Sequence, residues 1–86
     1  ILMARHSHEF VETYDGLVGF GMDRKTDAHT LTFYLQKFSD DELMSLMGER
    51  MNEADMTMLF DLIARLLKTY LTDDEYHRYF LKDNPP

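Results

Sequence analysis

Helix-breaking residues are almost absent from the last three quarters of this 86-residue chain. Both prolines stand at its C-terminal end, and Gly48 is the one glycine after the first 21 residues. Leucine and methionine supply 19 residues, whereas valine and isoleucine supply only 4. Unbranched and γ-branched side chains keep their rotamer freedom in a helix, and β-branched ones lose it. The chain is therefore predicted to be a single all-α domain, with a glycine-containing and flexible N-terminal segment at residues 1–22.

Capping signals divide the chain into helices. Ser39 and Thr72 each stand three residues before a glutamate, which is the spacing of a capping box. Asn52, which is followed by acids, and Asp27 are further predicted helix starts. A bundle of four to five short helices follows from these starts. The four firm helices are predicted near residues 28–38, 40–51, 53–70 and 73–82.

Apolar residues recur at helical spacing within each predicted helix and so predict its inward face. Residues 30–36 also alternate between apolar and polar, a pattern that is typical of a strand. We favour a helix there because Phe38 leads directly into a capping signal. The predicted stripes are Leu31, Tyr34, Leu35 and Phe38; Leu43, Leu46, Met47 and Met51; Met56, Leu59, Phe60, Ile63, Leu66, Leu67 and Tyr70; and Tyr76, Tyr79 and Phe80.

The N-terminal segment permits more than one structure. Phe10, Tyr14 and two later apolar residues fit one face of a helix that Ser7 would cap. Alternatively, residues 9–14 and 17–22 flank an Asp-Gly pair, which is the sequence of a type I′ hairpin turn. We favour the helix, because an isolated two-stranded hairpin is only marginally stable.

Charge and composition exclude several classes of function. The net charge is −7, from 16 acids against 9 bases, which argues against nucleic-acid binding and against a polybasic membrane anchor. No apolar run approaches the roughly 20 residues of a membrane span. Cysteine is absent, so disulfides and thiolate metal sites are excluded, and a cytoplasmic location is expected.

Catalytic and metal-binding patterns are also missing from the sequence. The serines have no nucleophile elbow around them, and the glycines of the first quarter do not follow a phosphate-binding spacing. We therefore expect no enzyme activity, no cofactor and no metal. A metal or small-ligand binder that uses histidines remains an alternative. The four histidines are His6, His8, His29 and His77.

The remaining feature is an excess of apolar side chains. On the predicted 53–70 helix they cover an arc of roughly 200°, wider than the roughly 100° stripe of a surface helix. This width fits either the central helix of a bundle or a surface that meets another chain. We predict a small acidic cytoplasmic protein–protein interaction or regulatory module that forms a homodimer. The alternative is an acidic decoy or inhibitor of a basic protein, since residues 39–86 carry a net charge of −6. The predicted interface residues lie off the main stripes: Phe33, Met44, Met58 and Leu62.

Overall fold

The computed structural model describes residues 8–83, and these residues contain helices and no strand. Helix makes up 74% of the structure, which confirms the all-α prediction and removes the strand alternative for residues 30–36. None of the helices in the described range is long and apolar enough to cross a membrane. The elements are α1 Phe10–Thr13, α2 Arg24–Phe38, α3 Asp41–Arg50, α4 Glu53–Tyr70, α5 Asp73–Glu75 and a π-helix at Tyr76–Leu81.

The chain divides into two compact units, one ending at Arg50 and one starting at Met51. The first unit holds α1, α2 and α3, and the second holds α4, α5 and the π-helix. Burial is sparse in both units. Within residues 8–83 no hydrophobic side chain is buried, and the one buried side chain is that of Thr30, which is 4% exposed.

Helix α2 begins earlier than predicted. Asp23 is its N-cap, and its carboxylate accepts hydrogen bonds from the Thr26 N–H at 2.8 Å and the Thr26 hydroxyl at 3.1 Å. The predicted cap, Asp27, lies inside the first turn of the helix. Its Oδ1 accepts from the N–H groups of Gly21 at 2.8 Å and Met22 at 3.1 Å. The prediction was wrong because the polar first turn carries no apolar periodicity to mark it.

Helix α3 is capped by Asp40, so the capping box predicted at Ser39 is wrong. The Asp40 Oδ2 atom accepts from the N–H of Glu42 at 3.1 Å and of Leu43 at 3.2 Å. The Ser39 hydroxyl instead donates to the Gln36 carbonyl at 3.0 Å, at the end of the preceding helix. A carboxylate in the adjacent position has therefore displaced the hydroxyl as the cap.

The other two predicted helix starts are confirmed. The Asn52 side chain accepts from the Asp55 N–H at 2.8 Å. Thr72 and Glu75 form the predicted capping box: the Thr72 Oγ1 accepts from the Glu75 N–H at 3.2 Å, and a Glu75 carboxylate oxygen accepts from the Thr72 N–H at 2.9 Å. These caps fix α4 and the helical segment after it.

Within residues 8–22, the described part of the N-terminal segment, only the four residues of α1 are helical. After α1 the chain runs in bends and irregular backbone until α2, and the alternative hairpin does not form. The predicted cap at Ser7 lies outside the described residues.

The last helical segment changes type along its length. It is α-helical over Asp73–Glu75 and π-helical from Tyr76, and Lys82 at its end has a left-handed backbone with φ of 60°. The N–H of Asp83 donates to the His77 carbonyl at 3.1 Å, and the Nδ1 atom of His77 lies 3.1 Å from the Asp83 carboxylate. Backbone and side-chain contacts between His77 and Asp83 therefore stabilise the C-terminal end of the π-helix.

The cap of α3 generates a first testable prediction. Asp40→Ala should lower the free energy of unfolding by about 0.5–2 kcal/mol, because two N–H groups lose their acceptor. Ser39→Ala, the matched control one residue earlier, should cost less. Urea denaturation at one protein concentration measures both. A larger effect of Ser39→Ala would show that Ser39, and not Asp40, is the N-cap of α3.

The cap of α2 generates a prediction on pH. The backbone N–H and the hydroxyl of Thr26 lower the pKa of Asp23 from its ordinary value of 3.8, because both hydrogen bonds favour the ionised carboxylate. Ionised Asp23 therefore stabilises the fold above its unfolded-state pKa, and this stabilisation is lost as the pH falls through the lower folded-state pKa.

Asp23→Asn should keep the cap, since asparagine also caps helices. The variant should no longer lose the stability that the parent loses when Asp23 becomes protonated. The urea midpoint should fall less between about pH 5 and about pH 2.5 in the variant than in the parent. Asp15→Asn, an exposed acid of the preceding loop, controls for the loss of one charge. An equal fall in the parent and Asp23→Asn would contradict the assignment.

Candidate functional site

In the first unit, the N-terminal segment packs on α2 through aromatic rings. The Phe10 and Tyr14 rings stack with centroids 4.8 Å apart. His29 lies against both rings, with centroids 5.5 Å from Phe10 and 5.2 Å from Tyr14. The N–H of Val11 donates to the Gln36 side chain at 2.9 Å. The covered face of α2 is therefore its more polar one.

Thr30 binds the loop between α1 and α2 to the same face of α2. Its Oγ1 accepts from the Gly19 N–H at 3.0 Å and donates to the Gly19 carbonyl at 3.0 Å. Gly21 has φ of 91°, a conformation that strongly favours glycine, and its N–H donates to Asp27 as described above. The loop is thus held by hydrogen bonds to two α2 side chains, whereas its apolar side chains at Leu17 and Phe20 are exposed.

The predicted inward stripe of α2 lies on the opposite face and is exposed. Leu31, Tyr34 and Leu35 are each more than half exposed. Phe38 is partly covered, and it lines an apolar depression of about 400 Å³ together with Val18 and Leu43. The expectation that this stripe faces a core is not met within the described residues.

In the second unit, α4 carries the largest set of exposed apolar side chains. Only Leu59 and Leu67 among its large apolar residues are half-buried. The exposed ones belong to both the predicted stripe and its flank, so most of the roughly 200° arc is exposed. They are Met56, Met58, Phe60, Leu62, Ile63, Leu66 and Tyr70.

A groove runs along one edge of this arc. Its volume is about 420 Å³, and one wall is α4 while the other is the segment from Leu71 through the π-helix. The Tyr76 and Phe80 rings stack in that second wall with centroids 5.4 Å apart. The lining is mainly apolar, and its two charged residues are Lys68 and Asp73.

The structure distributes the four predicted interface residues over both units. Met58 and Leu62 lie one turn apart on α4 and are 68% and 44% exposed, and Met44 on α3 is 39% exposed. Phe33 is half-buried: its ring centroid lies 6.2 Å from that of Tyr14, and the Lys37 ammonium lies 5.2 Å from its centre. Three of the four therefore present apolar surface, and Phe33 contributes to the packing of the N-terminal segment.

The three histidines within residues 8–83 lie in separate surroundings. His29 lies among aromatic rings, His77 pairs with Asp83, and the Nε2 atom of His8 lies 2.7 Å from the Ser39 hydroxyl. The Ser39 hydroxyl also lies 3.0 Å from the Gln36 carbonyl, so this pair belongs to the end of α2. Across residues 8–83 no three metal-binding side chains come together, and His6 lies outside that range.

Sequence reasoning assigned Phe60, Ile63 and Tyr76 to a bundle core and so missed the groove. The signal that pointed to it was the width of the apolar arc on α4, which is more than one neighbouring helix covers. The stacking of Tyr76 on Phe80 follows from their i, i+4 spacing in a helix.

No protein-family model matches the chain, and neither the curated proteins nor the solved structures contain a match. The function is therefore argued from the residues of this chain.

The Thr30 contact generates a prediction on stability. Thr30→Val keeps the shape of the side chain and removes the hydroxyl, so the N–H and carbonyl of Gly19 lose their partner in a half-buried position. The variant should lose about 1–3 kcal/mol of unfolding free energy. Thr32→Val is the matched control, because the Thr32 hydroxyl bonds only to the Ala28 carbonyl of its own helix. Equal urea midpoints for the two variants would contradict a locking role for Thr30.

Proposed function

We propose that this chain is a small acidic interaction module that associates with a second copy of itself through the exposed apolar arc of α4. The observation that carries the proposal is the pattern of burial. Within the described residues no hydrophobic side chain is buried, yet α4 presents seven large apolar side chains to solvent. The lack of cysteine favours a cytoplasmic setting for the module.

Thermodynamics supports association. Ordering each residue costs about 1–2 kcal/mol of backbone entropy, and burial of apolar area is the main term that offsets it. Contiguous apolar patches of more than a few hundred square ångströms are rare on soluble monomers. A two-fold dimer covers such a patch with its own copy, so one sequence supplies both sides of the contact.

The acidic decoy or inhibitor is the second candidate, and the charge of residues 39–86 favours it. The two functions differ in their response to salt. Electrostatic binding to a basic protein weakens steeply with ionic strength, whereas apolar association does not. Added salt also screens the repulsion between two subunits of charge −7, so the dimer should persist or tighten.

Sedimentation equilibrium at tens of micromolar tests the proposal at low and high salt. We expect a dimer that Leu62→Glu converts to monomer, because the substitution places a charge in the apolar contact. Thr57→Glu adds the same charge to α4 on the side away from the arc and should leave the dimer intact.

The control outcomes are equally specific. A monomeric parent at both salt concentrations would refute self-association. Circular dichroism should show that both variants remain helical. Unfolding of Leu62→Glu alone would identify Leu62 as part of a core within one chain, and that result would also contradict the proposal.

A further inference from the structure

The exposed arc of α4 contains a regular seam. Met56, Leu59, Ile63, Leu66 and Tyr70 follow one another at intervals of three, four, three and four residues. This alternation is the a/d spacing of a coiled coil, in which each side chain packs between residues of a facing helix. Four of the five are exposed, and Leu59 is half-buried. We refer to these five residues as the α4 seam.

The seam is distinct from the groove beside it. Ile63 is the one seam residue that also lines the groove, while Phe60 and Leu67 belong to the groove side of the helix. The other four seam residues do not line the groove. Within residues 51–83 no other helix packs along the length of α4, which is 18 residues long and about 27 Å in length.

The charges of α4 are divided along its length. Glu53 and Asp55 lie in its first turn, Asp61 lies near the middle, and Arg65 and Lys68 lie in the last two turns. The helix is therefore negative at its start and positive near its end. The helix dipole has the opposite order, positive at the N-terminus and negative at the C-terminus.

We propose that the α4 seam binds the α4 seam of a second copy with the two helices running antiparallel. The inference rests on the proposed self-association and adds its surface and orientation. Glu53 and Asp55 flank the start of the seam, and an antiparallel pair keeps these acids away from their own copies. A parallel pair would instead place Glu53 and Asp55 beside their own copies and would align the two helix dipoles.

The register follows from the spacing. In an antiparallel coiled coil, a positions face d positions of the other helix. Pairing Met56 with Leu66 of the second copy also pairs Leu59 with Ile63, and centres the contact at the level of Asp61, within one residue of the midpoint of α4. Leu62 then lies beside the two-fold axis, which explains why a charge at this position should disrupt the dimer.

Disulfide trapping tests the orientation, because the native chain has no cysteine. Met56→Cys and Leu66→Cys proteins are prepared separately, mixed under reducing conditions and then oxidised. The antiparallel arrangement predicts a cross-linked dimer in the mixture and little cross-linking of either variant alone. In that arrangement two copies of residue 56 lie about 15 Å apart along the axis, too far for a disulfide.

A pair on the opposite face supplies the matched control. Thr57→Cys mixed with Lys68→Cys measures the cross-linking that random collisions produce, and the seam mixture must exceed it. Sedimentation of the reduced proteins establishes in parallel whether each variant is a dimer.

The possible results separate the two proposals. Cross-linking of Met56→Cys with itself would show a parallel pair and would overturn the orientation while leaving self-association intact. A reduced dimer without cross-linking above the control would place the contact elsewhere and overturn the seam. A monomer would overturn self-association and the seam together.

Discussion

Removal of apolar area from water is the term on which the rest of this structure depends, and each unit achieves little of it internally. The helices are satisfied locally: their starts are capped by Asp23, Asp40, Asn52 and Thr72, and their acids lie near the positive ends of the helix dipoles. Local hydrogen bonds stabilise by only about 0.5–1.5 kcal/mol each. They select where helices begin, but they do not supply the burial that holds helices together.

The magnitudes show how far the α4 seam alone can go. Full burial of a large apolar side chain contributes roughly 1.5–3 kcal/mol, so covering ten partly exposed seam side chains would contribute on the order of 10 kcal/mol. Association costs about 4–15 kcal/mol in lost freedom. A dimer at tens of micromolar needs a net free energy of about −6 kcal/mol. Flanking side chains such as Phe60 and Leu62 would therefore have to contribute to a stable contact.

The sequence predicted local structure well and packing poorly, for a physical reason. Residues 53–70 were predicted as a helix to the residue, because Asn52 marks the start and no breaker interrupts the apolar periodicity. Ser39 and Asp40 are adjacent and both suited to cap a helix, so the sequence could not separate them. Periodicity shows which side chains share a face, as on α2. Periodicity does not show whether another part of the chain covers that face. On α2 the covered face is the more polar one.

Charge repulsion between two copies opposes the apolar attraction between their α4 helices, and this opposition favours some orientations of the two copies over others. Repulsion between copies of net charge −7 disfavours close approach in most orientations. The orientation that reduces this repulsion is one that separates like charges while the apolar residues meet. In the proposed antiparallel pair, Glu53 and Asp55 of the two copies flank opposite ends of the contact, and Arg65 and Lys68 lie on the far face of α4. In the proposed dimer, burial of the seam supplies the affinity, and the position of these acids supplies the choice of orientation.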